Sequence, residues 1–323
     1  MSLTPLVSII IPVKNGMPHF KRVIEMVSIQ RFEGKYEVIV IDSGSSDGSK
    51  DVVPRNDDRF RLIEIEPSSF GHGRTRNLGA HEARGQFCAF LTHDAAPADT
   101  EWLSALVAPL LEDDHVAGVF SRHVAYDGTS PFTAWEIDKH FEHLKNWPKV
   151  WISDAREYCR DIGLRQVYHF YSDNSSCLRR SVWKDHPYPD VEFAEDQTWA
   201  KIVVEAGYKK AFAWDSVVYH SHEYSIWETV QRSYDEALAF KRLFGYVLCP
   251  SKAHIIQSSL RTSLRDIGLA SANGWIFSHP IATLRRPFVN FAKNLGYYLA
   301  ASGKARSQTF AMALSRDRQL YIK

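Results

Sequence analysis

Several clusters of polar residues carry side chains able to do chemistry, and three of them follow apolar runs. The first, Asp42-Ser43-Gly44-Ser45-Ser46-Asp47-Gly48, closes the run Tyr36 to Ile41. It reads as a polar turn in which Asp47 caps the next helix. It also reads as a nucleotide pocket, with Asp42 accepting from a base or ribose and small residues letting a diphosphate approach. The second cluster is Thr92-His93-Asp94-Ala95, after the run Phe87 to Leu91. A carboxylate at the carboxyl end of a strand can hold Mg²⁺ or Mn²⁺ between two phosphates; the plainer role is a helix cap before Pro97. Glu195-Asp196 falls at a predicted helix start, where acids favour the helix dipole. The alternative makes Asp196 a general base whose proton affinity is set by its neighbour and by burial. In Val218-Tyr219-His220-Ser221-His222 two histidines at i, i+2 point the same way from a strand. One of them could ligate a metal as neutral imidazole, although a structural histidine is the commoner case. Arg76, in Arg74-Thr75-Arg76-Asn77-Leu78-Gly79, could reach a base or a diphosphate, or stand solvated.

The elements that must position these residues follow from periodicity. Residues 6–13 (LVSIIIPV) are continuously apolar and β-branched, which suits a buried parallel strand. An amphipathic helix to about Gln30 follows, then strands over Tyr36 to Ile41, Phe60 to Ile65 and Phe87 to Leu91, with a helix over Thr75 to Ala83. Alternating strand and helix predicts a doubly wound, mostly parallel α/β sheet with helices on both faces. Ligands in such sheets bind outside the carboxyl ends of the strands, where these clusters fall. Beyond residue 125 the pattern predicts a helix over Phe132 to Leu144, a strand-like stretch over Gln166 to Leu178, a helix over Glu195 to Ala206, and one or two strands over Lys209 to Tyr219. From Ile226 the chain reads as helical, with one helix starting at Pro287. The predicted division is a domain over 1–222, with a nucleotide-binding half 1–125 and an acceptor half 126–222, and a helical region over 223–323.

The 323 residues allow one large α/β domain and a smaller appended unit. Hydrophobic residues at 45% and charged residues at 24% are ordinary for a soluble globular chain. Cys88, Cys159, Cys177 and Cys249 form no Cys-x-x-Cys pair, so a metal cage or disulfide framework is not expected and a reducing cytoplasm fits. The run Leu6 to Val13 is too short for a signal peptide or a membrane span. From residue 251 onward eleven Lys and Arg face two Asp, giving +9 on a chain whose net charge is +1. A basic end on an acidic body predicts contact with something anionic, such as a membrane surface or phosphate. The turn Lys14-Asn15-Gly16 lacks the glycine fingerprint of a dinucleotide site, and no P-loop is present. A nucleotidyltransferase would carry a glycine-rich basic loop there instead of Lys14-Asn15-Gly16-Met17-Pro18. Retention of both Asp94 and Asp196 argues against a silent binding scaffold, and no nucleic-acid partner is expected.

In order, the stretches VSIIIPVKNG, VIVIDSGSSDGS, GRTRNLGAHEARGQFCAFLTHDAAP, NSSCLRRSVW, EDQTWAKIVVEAGYKKAFAWDSVVYHSH and FKRLFGY resemble the inverting family 2 glycosyltransferases of GT-A fold, over roughly residues 6–245. THDA, FYSDNSSCLRRSVW and VYHSHEYS are similar to the rhamnosyltransferase-like branch. The resemblance implies transfer of a sugar, L-rhamnose from dTDP-L-rhamnose in that branch, to an acceptor hydroxyl in bacterial surface polysaccharide or O-antigen synthesis; UDP- and GDP-sugars are the alternative donors. It implies that Pro12, Val13 and Asn15 line the base pocket with Asp42, Ser43 and Arg76, and that Thr92 and His93 stand on the donor side. Asp94 then survives from the family's DxD motif, with Thr92 and Ala95 replacing its acids. His220 becomes the second protein ligand to Mg²⁺ or Mn²⁺, with His222 as substitute, and Asp196 the base of the acid-Asp-x-x-Trp motif. Asn174, Glu195 and Trp199 are the acceptor-side candidates. The Gln-x-x-Arg-Trp motif of processive synthases is absent, which favours addition of single residues. The acceptor is expected to be a saccharide or lipid-linked saccharide. The C-terminal helices are expected either to seat a cytoplasmic enzyme peripherally on the inner face of an anionic membrane or to form a homodimer contact.

Overall fold

The computed structural model describes residues 4–303 and 313–316. Lys304, Arg306, Asp317, Arg318 and Lys323 of the basic end lie outside the described residues. Two compact units emerge. The first comprises 1–126, 137–191 and 195–221; the second comprises 127–136, 192–194 and 222–323.

The first unit is a mixed sheet built on strands β1 (Val7–Val13), β2 (Tyr36–Asp42), β3 (Phe60–Glu64) and β4 (Phe87–Leu91), which run parallel in the order β3-β2-β1-β4. Their continuous apolar character reflects cover on both faces. Val7, Ile9 and Ile11 of β1 pack with Phe20, Val23 and Val27 of α1 (His19–Ser28). Ile10, pointing the other way, packs with Ala80 of α2 (His72–Glu82). The short strand β5 (Ala96–Pro97) and α3 (Trp102–Glu112) precede β6 (Val116–Val124). Then come α4 (Pro131–Leu144), β7 (Lys149–Val150), α5 (Ala155–Arg160), α6 (Ile162–His169), β8 (Ser175–Arg179), α7 (Arg180–Asp185), α8 (Glu195–Glu205) and β9 (Lys209–Tyr219). Beyond β4 the sheet continues as β8-β6-β9-β5, with β8 antiparallel to both neighbours. The ladder of β6 and β9 shifts register twice, first between Val116 and Gly118; at the second shift Ser121 pairs with Ala213 but Arg122 pairs with Val217, so Trp214 to Ser216 bulge out before pairing resumes to Val124 and Tyr219.

One predicted element is corrected. Gln166 to Leu178 is not a single strand but helix α6 followed by strand β8. Alternation over Gln166-Val167-Tyr168-His169-Phe170 mimics a strand, yet the ends favour a helix. Asp161 caps the start by accepting from Leu164 N at 3.0 Å. The buried Lys210 ammonium closes the end, donating at 2.9 Å to the carbonyls of Val167 and Tyr168 and also to that of Phe170.

The second unit is helical: α9 (Ile226–Phe244), α10 (Lys252–Ala272), the short α11 (Trp275–Ser278) and α12 (Pro280–Ser302). A capping box starts α9: Ser225 Oγ accepts from Glu228 N while Glu228 accepts from Ser225 N. Gly245, at φ 74°, ends it. Gly296 lets α12 close on α9, since a Cβ there would sit 2.4 Å from Val230 O. The expected helix start at Pro287 is corrected to Pro280, and Pro287 lies inside α12. Packing by its neighbours holds the helix through that residue. Arg286 Nε and Asn290 Nδ2 both donate to Asp266 Oδ2 of α10, at 2.7 and 2.9 Å.

Candidate active site

The carboxyl ends of β1 and β2 form one wall. Asp42 is fully buried, and its Oδ1 accepts from the backbone N–H groups of Gly44 and Ser45, each at 2.9 Å. Its Oδ2 is buried with no hydrogen-bond partner among the described residues. A carboxylate oxygen in that state is costly unless a ligand donates to it, and a base N–H or a ribose hydroxyl would do so. Thr92 Oγ1 is a second buried oxygen without a hydrogen-bond partner among the described residues. Asn15 takes φ 49°, a backbone region asparagine tolerates better than most residues. Its Oδ1 accepts from Ser46 N at 2.9 Å and its N–H donates to Ser45 Oγ at 2.9 Å, so it braces the β2 loop. Ser43 is buried and donates its N–H to Val13 O at 3.0 Å, locking the ends of β1 and β2 together. Pro12 and Val13 end β1 on this rim. A Cβ on Gly16 would meet Val13 Cγ2 and His93 Cδ2 at 3.0 Å, so the β1 turn and the His93 segment are in close contact. Asp47 serves the turn: it accepts from Ser49 N at 3.0 Å and from Met17 N at 2.8 Å.

Beside that wall, Asp94 Oδ1 lies 3.8 Å from His220 Nε2. His220 extends β9, its N–H donating to Val124 O at 2.9 Å. The dipeptide Asp173-Asn174 joins this pair to the third acidic site. Asn174 O accepts from Thr92 N at 3.1 Å. Asn174 Nδ2 lies 3.4 Å from His220 Nδ1, and Asp173 N donates to Asp196 Oδ2 at 3.3 Å. Two adjacent residues, with Cα atoms about 3.8 Å apart, therefore touch segments near positions 92, 196 and 220. Clusters that are distant in sequence thus meet through this dipeptide.

Asp196 begins α8, and its Oδ1 accepts from Gln197 N at 2.7 Å. Desolvation lifts its proton affinity well above that of an ordinary carboxyl; the charges of Glu195 and Asp173 lift it further, and Arg76 opposes them. Arg76 is not on the wall formed by β1 and β2 but pairs with buried acids. It is buried, with Nε 3.1 Å from Asp173 Oδ2 and Nη1 2.9 Å from Glu195 Oε1. Burial works against its charge, but those carboxylates outweigh burial and keep it protonated. Glu195 is buried in this pairing, and Trp199 is fully buried, donating Nε1–H to His186 O at 2.8 Å. Both expected acceptor-side residues are thus buried against the protein's own groups. Asp173, which the sequence does not single out, is 1% exposed and also accepts from Tyr188 Oη at 2.9 Å and Ser176 Oγ at 2.5 Å. Burial raises its proton affinity against the pull of Arg76. A lone acid between Tyr171 and Cys177 was the signal available for it. His123 stacks edge-on against His220, ring centroids 5.3 Å apart, and burial holds it neutral. His222, two residues past His220, is the first residue of this part of the second unit.

The donor set fits a hard divalent cation only in part. A carboxylate and an imidazole 3.8 Å apart supply two ligands, and a Mg²⁺- or Mn²⁺-like ion would take its remaining oxygens from phosphates and water. Nε2 must then present its lone pair, so Nδ1 carries the proton and Asn174 turns its amide oxygen toward it.

A parallel β-α-β half-sheet continued by antiparallel β8, with an acid-histidine pair at the strand ends and an acid at a helix start, matches the GT-A architecture of glycosyltransferases. The chain belongs to glycosyl transferase family 2, whose model matches residues 8–186. The O-antigen chain rhamnosyltransferase RfbN of Salmonella typhimurium is 28% identical over 308 residues, covering 91% of this chain and 88% of that protein. WbaN of Salmonella anatum, an O-antigen chain rhamnosyltransferase, is 27% identical over 81% of this chain and 79% of its own. Among solved structures, the mannosyltransferase PcManGT of Pyrobaculum calidifontis, in complex with GDP-Man and Mn²⁺, superposes with a TM-score of 0.58 at 17% identity, covering 94% of this chain and 87% of that one. That likeness is one of fold.

Proposed function

We propose that the protein transfers L-rhamnose from dTDP-L-rhamnose, with inversion, to a hydroxyl of a saccharide acceptor in O-antigen-type synthesis. The observation that carries the catalytic part is the convergence through Asp173-Asn174 of Asp196 with the Asp94–His220 pair. The match to two O-antigen rhamnosyltransferases over most of their length supports the sugar and the pathway class. Asp42 Oδ2 and Thr92 Oγ1 receive donor groups, on the grounds of their buried, unpartnered state. Asp196 accepts the proton of the acceptor hydroxyl as that oxygen attacks the anomeric carbon opposite the diphosphate. The transition state has oxocarbenium character, as in glycoside hydrolysis. Asp94 and His220 would hold a divalent cation, whose chemistry is to neutralise charge on the leaving diphosphate. Incubation with a panel of dTDP-, UDP- and GDP-sugars is the test: dTDP-rhamnose alone should be consumed, and turnover of only UDP- or GDP-sugars would overturn the donor assignment. Asp94→Ala should abolish the Mn²⁺-dependent gain in dTDP affinity seen by calorimetric titration; an unchanged gain would remove Asp94 from the cation site.

The reading extends to location. Among the described residues no helix is long and apolar enough to cross a membrane. On α10 the exposed Ile256, Leu260, Leu264 and Ile267 recur at helical spacing, as do Ile281, Leu284, Phe288 and Phe291 on α12. Phe277 is 89% exposed. Lys252, Arg261, Arg265 and Lys293 are exposed on the same helices, whereas Asp266, the one acid between residues 251 and 303, is buried. An apolar face edged with cations and free of exposed acids suits the interface of an anionic bilayer. Flotation should carry the protein with phosphatidylglycerol vesicles, less so as salt rises and not after Phe277→Ser with Ile281→Ser. Absence of binding together with a dimer in sedimentation would assign the face to self-association.

A further inference from the structure

The second unit contains a cavity of about 270 Å³ that the transfer chemistry does not use, walled by the start of α4, residues 222–236 and α12. Its wall sets many charged side chains among apolar surface. Only Ala282 and Val289 bring an aliphatic side chain, against three glutamates, three arginines and a lysine.

The charges balance locally. Arg286 is held by Asp266 at 2.7 Å and by Glu136. Tyr297 Oη donates to Glu236 Oε2 at 3.0 Å, and Ser130 N donates to Glu223 Oε1 at 3.1 Å. Arg285 spends one N–H on Tyr224 O. Each carboxylate so engaged retains acceptor sites, since an ionised carboxylate has about four, and Arg285 retains donors, since a guanidinium has five. The lining therefore offers fixed, planar acceptors beside fixed, planar donors with little net charge. A simple ion gains little from such a wall. Vicinal hydroxyls, each both donor and acceptor, match it well. His222 adds a flat surface: its ring stacks on that of Tyr224, centroids 5.5 Å apart and planes 21° apart, while the Arg316 guanidinium lies 4.7 Å from the Tyr224 ring centroid; an aromatic face suits the C–H side of a sugar ring. The volume falls just below the ~300–1,000 Å³ typical of drug-sized ligands, which suits one small ring.

We propose that this cavity binds a neutral sugar residue of the saccharide acceptor, other than the residue that receives the transferred sugar. The proposal rests on the reading that the acceptor is a saccharide. Saturation-transfer NMR on the full chain tests it, with the methyl glycosides of galactose, glucose, mannose and rhamnose as probes. At least one glycoside should receive saturation from the wild-type protein. Arg285→Ala and Glu223→Gln, on opposite sides of the charge balance, should each bind it about tenfold more weakly, as expected for loss of a hydrogen bond to a charged group. Melting temperature and dTDP affinity should be unchanged in both. Undiminished saturation transfer in both variants, or none in the wild type, overturns the proposal. Displacement of the glycoside by equimolar inorganic phosphate also overturns it and marks an anion site. Failure of the saccharide-acceptor reading would show separately, as loss of sugar transfer to every saccharide tried.

Discussion

Asp196→Asn should lower kcat by about 10²- to 10⁴-fold, the usual contribution of a positioned general base, while dTDP affinity stays near that of the wild type. The amide keeps the size of the carboxyl, and its one oxygen can still accept from Gln197 N at the start of α8, with only the longer 3.3 Å contact from Asp173 N given up. The same variant should be at least as stable as the parent at neutral pH. The Asp196 carboxyl has its proton affinity raised in the folded state, by desolvation first and by Glu195 and Asp173 next. The folded state therefore holds that proton more tightly than the unfolded chain. Stability from this group is fully present below the unfolded pKa and is lost as pH rises toward the folded one. Asparagine carries no such penalty. Transfer assays, with thermal melts at neutral and mildly acidic pH, check both halves. Near-parental turnover would remove Asp196 from the base position. A melting temperature well below the parent would show that its carboxylate is structural.

Arg76→Gln should be the most destabilising single change in the cleft. It strands Asp173 and Glu195, 1% and 5% exposed, without their counter-charge, and breaking a buried pair in this way costs about 3–5 kcal/mol. Arg76→Lys should recover only part of this, because one ammonium cannot bridge two carboxylates as a guanidinium does. A second readout separates support from chemistry. Asp196 works deprotonated, so activity rises with pH through its raised pKa, and Arg76 opposes that rise. In Arg76→Gln the acidic limb of the kcat profile should move to higher pH, whereas a purely structural role would leave it in place. Denaturant titration and the pH–rate profile decide the point. A variant as stable as the parent would sink the account of this network.

Much of the α/β half can be read from residue order. The runs Val7–Val13, Tyr36–Asp42 and Phe87–Leu91 are apolar on both faces because helices cover both faces, and a motif at the end of such a run has one place to go. What escapes the sequence is what depends on distant partners. α6 resembles a strand until Lys210, some forty residues later, is seen closing its carbonyls. Arg76 reads as a donor-side or solvated cation because composition carries no burial, and its partners lie about a hundred residues away. Asp173 has no flanking acid to draw attention to it. The clusters at Asp42, Asp94, Asp196 and His220 are visible, but their meeting depends on β8 entering antiparallel beside β4, so that Asp173-Asn174 arrives at Thr92. Likewise, the grouping of 127–136 and 192–194 with the C-terminal helices cannot be inferred from a boundary drawn along the chain.

The bulge at Trp214 to Ser216 also bears on how this protein tolerates change in length. Side chains alternate along a strand, so the parity of the residue count between the bulge and His220 decides which side of the sheet the imidazole occupies. The composition of this kink is itself constrained, since Ser216 is fully buried and its hydroxyl bonds Ser121 Oγ and Trp102 O, and a single residue can be gained or lost there only if the surplus is absorbed before Val217. Single-residue indels just after the kink would turn His220 away from Asp94 while leaving the fold intact, a route by which a lineage could drift into inactivity without ever misfolding.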